Sequence, residues 1–202
     1  MYDEMMYEAT GIILAGGGGT RFSGVDKARL AVGEGELIAG AVKLMQAYFA
    51  EVLIVHNGRR SYGFAGVREV ADEAGGCGPL MGLYSGLQAS GHDLNLVMGC
   101  DMPWVRPAVV RLLMEAAGDN DVTVPEVNGY LEPLLAVYHR RVAPIVKEYL
   151  DMKYRKLIIF YDDVKVKKIT EEQLREVDPA LRSFVNINTP EDLNAAKATN
   201  DE

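Results

Sequence analysis

Three groups of residues carry the chemistry of this chain, and each closes a β-rich run. The first is Gly11-Ile12-Ile13-Leu14-Ala15 running into Gly16-Gly17-Gly18-Gly19, with Arg21 and Lys27 close behind. Glycines let the backbone turn tightly and approach a ligand without Cβ atoms in the way. The N–H groups freed in such a loop converge on an anion, and two nearby cations would hold phosphate oxygens. The second group is Asp101, delivered at the end of the apolar run Leu94–Cys100 and followed by Met102-Pro103. The third is Asp72, followed by a second glycine loop, Gly75-Gly76-Cys77-Gly78-Pro79.

The glycine loop matches neither common nucleotide fingerprint. A Walker A loop needs Gly-Lys-Ser/Thr, which is absent. The dinucleotide pattern G-x-G-x-x-G fails because the last position falls on Arg21 or on Phe22. What remains is a strand entering a phosphate cradle. Beside such a cradle Asp101 reads as a ligand for Mg²⁺, a hard cation that takes one or two carboxylates plus substrate phosphates. Its other reading is a turn residue or a cap for the helix that follows. Asp72 carries the same two readings, the turn being the simpler. The lysine run 165–168 reads as a solvated strand face, with contact to an anionic substrate as the alternative.

These residues need elements to place them. Ala9–Leu14, Val52–Val55, Val67–Ala71, Leu94–Cys100, Asp121–Val124 and Leu134–Tyr138 read as strands, and Phe184–Asn186 as a last short one. Residues 37–49, Leu80–Ala89 and Ala143–Leu150 read as helices, and Pro103 and Pro107 open another that runs to Ala117. Leu157–Tyr161 fits a buried strand or one side of a helix, and periodicity does not separate the two within 154–169. Thr189-Pro190-Glu191-Asp192 is a helix start, with Thr189 as cap and Pro190 at the first turn. Strands alternating with helices predict an α/β domain, a Rossmann-like three-layer sandwich with a mostly parallel sheet. Ligands of such sheets bind outside the carboxyl ends of the strands, where all three groups fall.

The 202 residues fit one domain, 49% of them hydrophobic and 25% charged. The net charge of −8 argues against a broad nucleic-acid footprint, which needs a basic face. Cys77 and Cys100 form no disulfide framework, and His56, His92 and His139 match no zinc spacing. Cys100 reads as a buried apolar residue. The first residues are acidic where a signal peptide would be basic, and no run approaches the ~20 apolar residues of a membrane span. A cytoplasmic location is the expectation.

Together the motifs resemble the molybdenum cofactor guanylyltransferase family, the MobA-type nucleotidyltransferases. The likeness rests on Leu14-Ala15-Gly16-Gly17 with Arg21-Phe22 and Val25-Asp26-Lys27, on Asp72 with Gly78-Pro79-Leu80-Met81-Gly82, and on Cys100-Asp101-Met102-Pro103. It ends with Phe184-Val185-Asn186-Ile187-Asn188-Thr189-Pro190-Glu191-Asp192-Leu193. It therefore covers nearly the whole chain, with Met81 standing where the family pattern has alanine. The resemblance implies the nucleotide-diphospho-sugar transferase fold, the N-terminal part binding nucleotide and the C-terminal part the acceptor. It implies transfer of GMP from GTP to the terminal phosphate of molybdopterin, with Mg²⁺ as cofactor and pyrophosphate as leaving group. In that mechanism the backbone of Leu14 to Gly17 holds the nucleotide, Arg21 and Lys27 neutralise phosphates, and Asp101 holds the metal. Asp72 would position the ribose or the metal's water shell, Gly78–Leu80 would read guanine, and Asn186 and Asn188 would mark the pterin site towards the sheet's other half. Transient contact with molybdenum cofactor insertion proteins also fits the resemblance. A CTP-using relative or one with a different phosphorylated acceptor, and a non-catalytic nucleotide-binding module, are the competing readings. A phosphate-binding oxidoreductase is disfavoured by the failed dinucleotide pattern.

Overall fold

The computed structural model describes residues 6–15, 27–32, 35–58, 61–72, 78–189 and 192. Apolar runs that alternate with amphipathic stretches produce a sheet with helices on both faces. In order these are β1 (Tyr7–Leu14), β2 (Ala31–Val32), β3 (Gly35–Glu36), α1 (Leu37–Tyr48), β4 (Phe49–His56), β5 (Arg68–Ala71) and α2 (Pro79–Ala89). There follow β6 (Leu94–Gly99), α3 (Pro107–Ala117), β7 (Val122–Val127), β8 (Tyr130–Leu131), β9 (Leu135–His139), α4 (Ala143–Asp151), β10 (Val166–Ile169) and α5 (Glu171–Val177). The main sheet runs β10-β7-β9-β6-β1-β4-β5, with β8 added to β7. β9 is antiparallel to both β6 and β7, and the pairs β1–β4, β1–β6, β4–β5 and β7–β10 are parallel.

Side-chain alternation divides the core into two layers, one on each face. Ile13, Ile54, Leu96 and Met98 face one way and pack with Ile38, Val42 and Met45 of α1 and Val109, Val110 and Leu113 of α3. Ile12, Leu53, Val55 and Val97 face the other way and meet Leu80, Leu83 and Leu87 of α2, with Val146 of α4 and Phe160. Two glycines allow the helices to sit this close. A Cβ on Gly11 would lie 2.7 Å from Met45 Sδ, and one on Gly86 would lie 2.8 Å from Ile12 Cγ2.

Several sequence expectations change here. The run 154–169 is neither a strand nor an α-helix at its start. Leu157–Asp163 forms 3₁₀ turns with Leu157, Phe160 and Tyr161 buried, and only Val166–Ile169 is a strand. Phe184–Asn186 joins no sheet: Arg182–Phe184 is a 3₁₀ turn and 185–188 has no regular structure, because Phe184 and Val185 N–H are taken by the Leu181 and Arg182 carbonyls of the turn and Ile187 N–H by the Asp101 carbonyl. Pro103 stays outside α3, which opens at Pro107. Helix α5 carried a readable signal, a Thr170–Gln173 capping box followed by Glu171 and Glu172 in the first turn, but it is short. Lys167 and Lys168 are exposed on β10, at the edge of the sheet, with Lys168 2.8 Å from Glu126, so the lysines form a charged edge. At the last helix start, Thr189 Oγ1 accepts from Asp192 N at 3.1 Å, as an N-cap should, while residues 190 and 191 lie outside the described set.

Gly86→Ala should overpack the α2–β1 contact and cost about 1–3 kcal/mol of unfolding free energy in urea titrations. A variant as stable as the parent would show that this contact has room to give.

Candidate nucleotide site

β1 ends at the centre of the sheet with neighbours on both sides. Ala15 N–H donates to the Val55 carbonyl at 2.8 Å, and Cys100 N–H donates to the Leu14 carbonyl at 3.2 Å. The chain thus leaves β1 pinned between the ends of β4 and β6, at the carboxyl edge where a cleft opens. Leu14 and Ala15 line it, with Val55 and His56 of β4, Asp72 after β5, Gly99, Cys100 and Asp101 at the end of β6, and Leu134 before β9. Its far wall is Gly78, Pro79 and Gly82 at the start of α2, and Ala28 closes another side. Gly78 has φ +78°, which lets Pro79 enter the first turn of α2 and turns the backbone towards the cleft.

The structure brings together Leu14, Ala15, Asp72 and Asp101, as their positions at strand ends predict, and adds Gly78 and Pro79 from the start of α2. Lys27 begins a 3₁₀ turn, Lys27–Arg29, whose Ala28 lines the cleft. Gly16, Gly17 and Arg21 lie outside the described residues, as does Cys77. Leu80 stands apart from the lining: its side chain is fully buried in the core, and its N–H donates to the Arg155 carbonyl at 3.4 Å. Cys100 is buried, as its apolar setting predicts.

Asp101 is held from both neighbours. A Cβ on Gly99 would sit 2.5 Å from Asp101 Oδ1, so the carboxylate folds back over the bare end of β6. The Asp101 carbonyl accepts from Ile187 N–H at 3.0 Å. Asn186 and Asn188 flank the residue bonded to Asp101, and Ile187 between them packs with Leu37, Leu30 and Trp104. This places both asparagines at the β6 end and the start of α1, not over the far half of the sheet. The Asn186 carboxamide oxygen is buried and takes no hydrogen bond among the described residues.

Sequence reasoning missed a histidine–carboxylate pair on the cleft wall. His56 Nδ1 accepts from Gly58 N–H at 3.0 Å, which leaves its proton on Nε2, 3.3 Å from Glu69 Oε2. Glu69 Oε1 also accepts from Gly63 N–H at 2.7 Å, Tyr62 N–H at 2.8 Å and the Ser61 hydroxyl at 3.0 Å. Burial alone would raise the Glu69 carboxyl. The bonds from Gly63, Ser61 and Tyr62, with His56 beside it, outweigh burial and hold it below its ordinary value. The position of His56 at a strand end was a usable signal; nothing in the sequence marked Glu69 as its partner. A second missed feature stiffens the opposite wall. The Tyr138 hydroxyl donates to the Pro133 carbonyl at 2.8 Å and meets the Tyr161 hydroxyl at 2.7 Å, and burial holds both phenols protonated.

Among the described residues no three His, Cys, Asp or Glu side chains gather as a metal cage, and no helix is long and apolar enough to cross a membrane. Solved structures share the fold. Molybdopterin-guanine dinucleotide biosynthesis protein A from Archaeoglobus fulgidus superposes with a TM-score of 0.82 at 28% identity, covering 95% of this chain and 98% of that one. The 2-C-methyl-D-erythritol 4-phosphate cytidylyltransferase of Thermus thermophilus gives 0.71 at 17% identity, covering 95% and 98%, a likeness of fold alone. Fold and cleft define a nucleotidyltransferase of the nucleotide-diphospho-sugar transferase type. Residues 11–166 match the model of the MobA-like NTP transferase domain, and the chain belongs to that family. It is 38% identical to the probable molybdenum cofactor guanylyltransferase of Pelotomaculum thermopropionicum, over 95% of this chain and 93% of the relative. It is 34% identical to the molybdenum cofactor guanylyltransferase of Desulfosudis oleivorans, over 96% of each.

The low-lying Glu69 carboxyl makes a signed pH prediction. Its contribution to stability is present above its ordinary value of 4.5 and is lost as pH falls through the lower folded value. At pH 7 the parent should exceed Glu69→Gln by about 1–2 kcal/mol in urea denaturation, and the gap should close in acid. A gap independent of pH would remove charge from the account.

Proposed function

We propose that the protein transfers GMP from GTP to the terminal phosphate of molybdopterin, in molybdenum cofactor biosynthesis in the cytoplasm. The observation that carries this reading is the convergence of the β1 end, Asp72, the Gly78–Pro79 turn and Asp101 on one cleft. Residues 1–202 would act as one domain, the N-terminal part binding nucleotide and the C-terminal part, with Asn186 and Asn188 at the β6 end, binding the acceptor.

An oxygen of the acceptor phosphate attacks the α-phosphorus of GTP, the bond from that phosphorus to the bridging oxygen breaks, and pyrophosphate leaves. Charge grows on the phosphoryl and leaving oxygens, so the protein's task is positioning and electrostatic stabilisation. The backbone of Leu14, Ala15, Gly16 and Gly17 would carry the triphosphate, and Arg21 and Lys27 would neutralise its oxygens. Gly78 and Pro79 line the cleft, and their backbone carbonyls would meet the donor edge of guanine, while Asp72 would hold the ribose. The carboxylates fit Mg²⁺: two hard oxygen donors, Asp72 and Asp101, line one cleft, and Mg²⁺ favours one or two carboxylates with phosphates over an all-protein cage. Asp101 would hold it, and the charge it supplies there would offset that of the phosphate oxygens. Asn186 and Asn188, beside Asp101, would meet the acceptor. Transient contact with molybdenum cofactor insertion proteins would follow from delivery of the product.

Purified protein given Mg²⁺, molybdopterin and radiolabelled GTP or CTP should form guanylylated product and release pyrophosphate with GTP. Transfer from CTP alone would overturn the base assignment in favour of a cytidylyl relative. Asp101→Ala and Lys27→Ala should each lower kcat on the order of 10²-fold or more while leaving thermal melting near the parent's. Near-parent turnover in either variant would refute that residue's role.

A further inference from the structure

We infer that the segment 178–188 is a strap that splints Asp101, and that Asp178 is its anchor and a positioning residue for the metal-binding carboxylate. The inference rests on the assignment of Asp101 to the metal.

The stretch from Asp101 to Arg106 has no regular structure, yet it carries the carboxylate whose placement the chemistry requires. A ligand on a loop needs a supporting shell, because an ångström of play forfeits geometry. The strap supplies one through three links. Ile187 N–H donates to the Asp101 carbonyl at 3.0 Å. Ser183 Oγ accepts from Arg106 N–H at 3.0 Å. The Arg182 guanidinium lies over the Trp104 ring, 5.5 Å from its centroid.

The strap's own shape is set at Asp178. This residue is fully buried, and its Oδ2 accepts from Ser183 N–H at 2.8 Å. Its carbonyl accepts from Leu181 N–H at 2.9 Å, which holds Leu181 at φ +52°, an uncommon conformation for leucine. Asp178 Oδ1 takes no hydrogen bond among the described residues and faces Arg106 Nε at 3.6 Å. A buried carboxylate with one oxygen incompletely bonded is a poor device for stability alone. Here it orients Ser183, which fixes Arg106, while Ile187, four residues further on, fixes Asp101.

The test uses the full chain saturated with GTP, and Mn²⁺ as a spectroscopic stand-in for Mg²⁺. Asp178→Ala and Ser183→Ala should each weaken Mn²⁺ binding, read by electron paramagnetic resonance, about tenfold. GTP binding in the presence of a chelator should be unchanged. Asp178→Asn keeps an acceptor for Ser183 N–H and should recover most of the metal affinity, a rescue that general loosening would not give. Ser183→Ala carries the test if Asp178→Ala does not fold. Asp101→Ala is the control. If it loses Mn²⁺ while folded Asp178→Ala and Ser183→Ala bind like the parent, the strap inference falls and the metal assignment stands. If Asp101→Ala binds Mn²⁺ like the parent, the metal assignment falls and takes the inference with it.

Discussion

Two backbone hydrogen bonds, Ala15 N–H to Val55 and Cys100 N–H to the Leu14 carbonyl, hold the end of β1 between its parallel neighbours. Everything chemical in the structure depends on that registration. A parallel arrangement aligns carboxyl ends along one edge, so three loops far apart in sequence leave the sheet side by side. Leu14-Ala15, His56 and Asp101 meet because β1, β4 and β6 share direction and register, not because any of them attracts another.

The two edges of the sheet are built differently. At the amino end of β1 the fully buried Thr10 hydroxyl is tied to Glu51 at 2.8 Å, Ser90 at 2.7 Å and His92 Nδ1 at 3.0 Å. Burial would raise the Glu51 carboxyl, but bonds from Gly91 N–H and Thr10, with Arg68, bring it below its ordinary value. That edge is closed on itself. The carboxyl edge instead lines a cleft with Asp72, Asp101 and the Gly78–Pro79 turn. Its supports, Glu69 behind His56, the tyrosine pair behind Pro133 and the strap behind Asp101, all stand one layer back from it.

Much of the fold was legible because it follows from local pattern. Val52–Val55, Leu94–Cys100 and residues 37–49 announce themselves by apolar spacing, and observed boundaries extend or trim them by a few residues. The exceptions have physical causes. Leu157–Tyr161 is apolar because it is buried, whatever its backbone does, so composition could not choose among strand, helix and 3₁₀ turn. Phe184–Asn186 has β-rich side chains, but Phe184 and Val185 N–H donate to the Leu181 and Arg182 carbonyls just before them, so the run closes a turn instead of joining a ladder.

Residue type and near neighbours, those within a turn or strand, were enough to read the class of fold and to recognise Asp72 and Asp101 as strand-end carboxylates. That Ile187, with Asn186 and Asn188 on either side, meets Asp101, that Leu80 faces the core, and that Glu69 and Asp178 sit behind the site came from the folded arrangement. Each of those facts is a contact between segments separated by many residues. Hydrogen bonds and packing select them once the sheet has formed, and no periodicity in the chain encodes them.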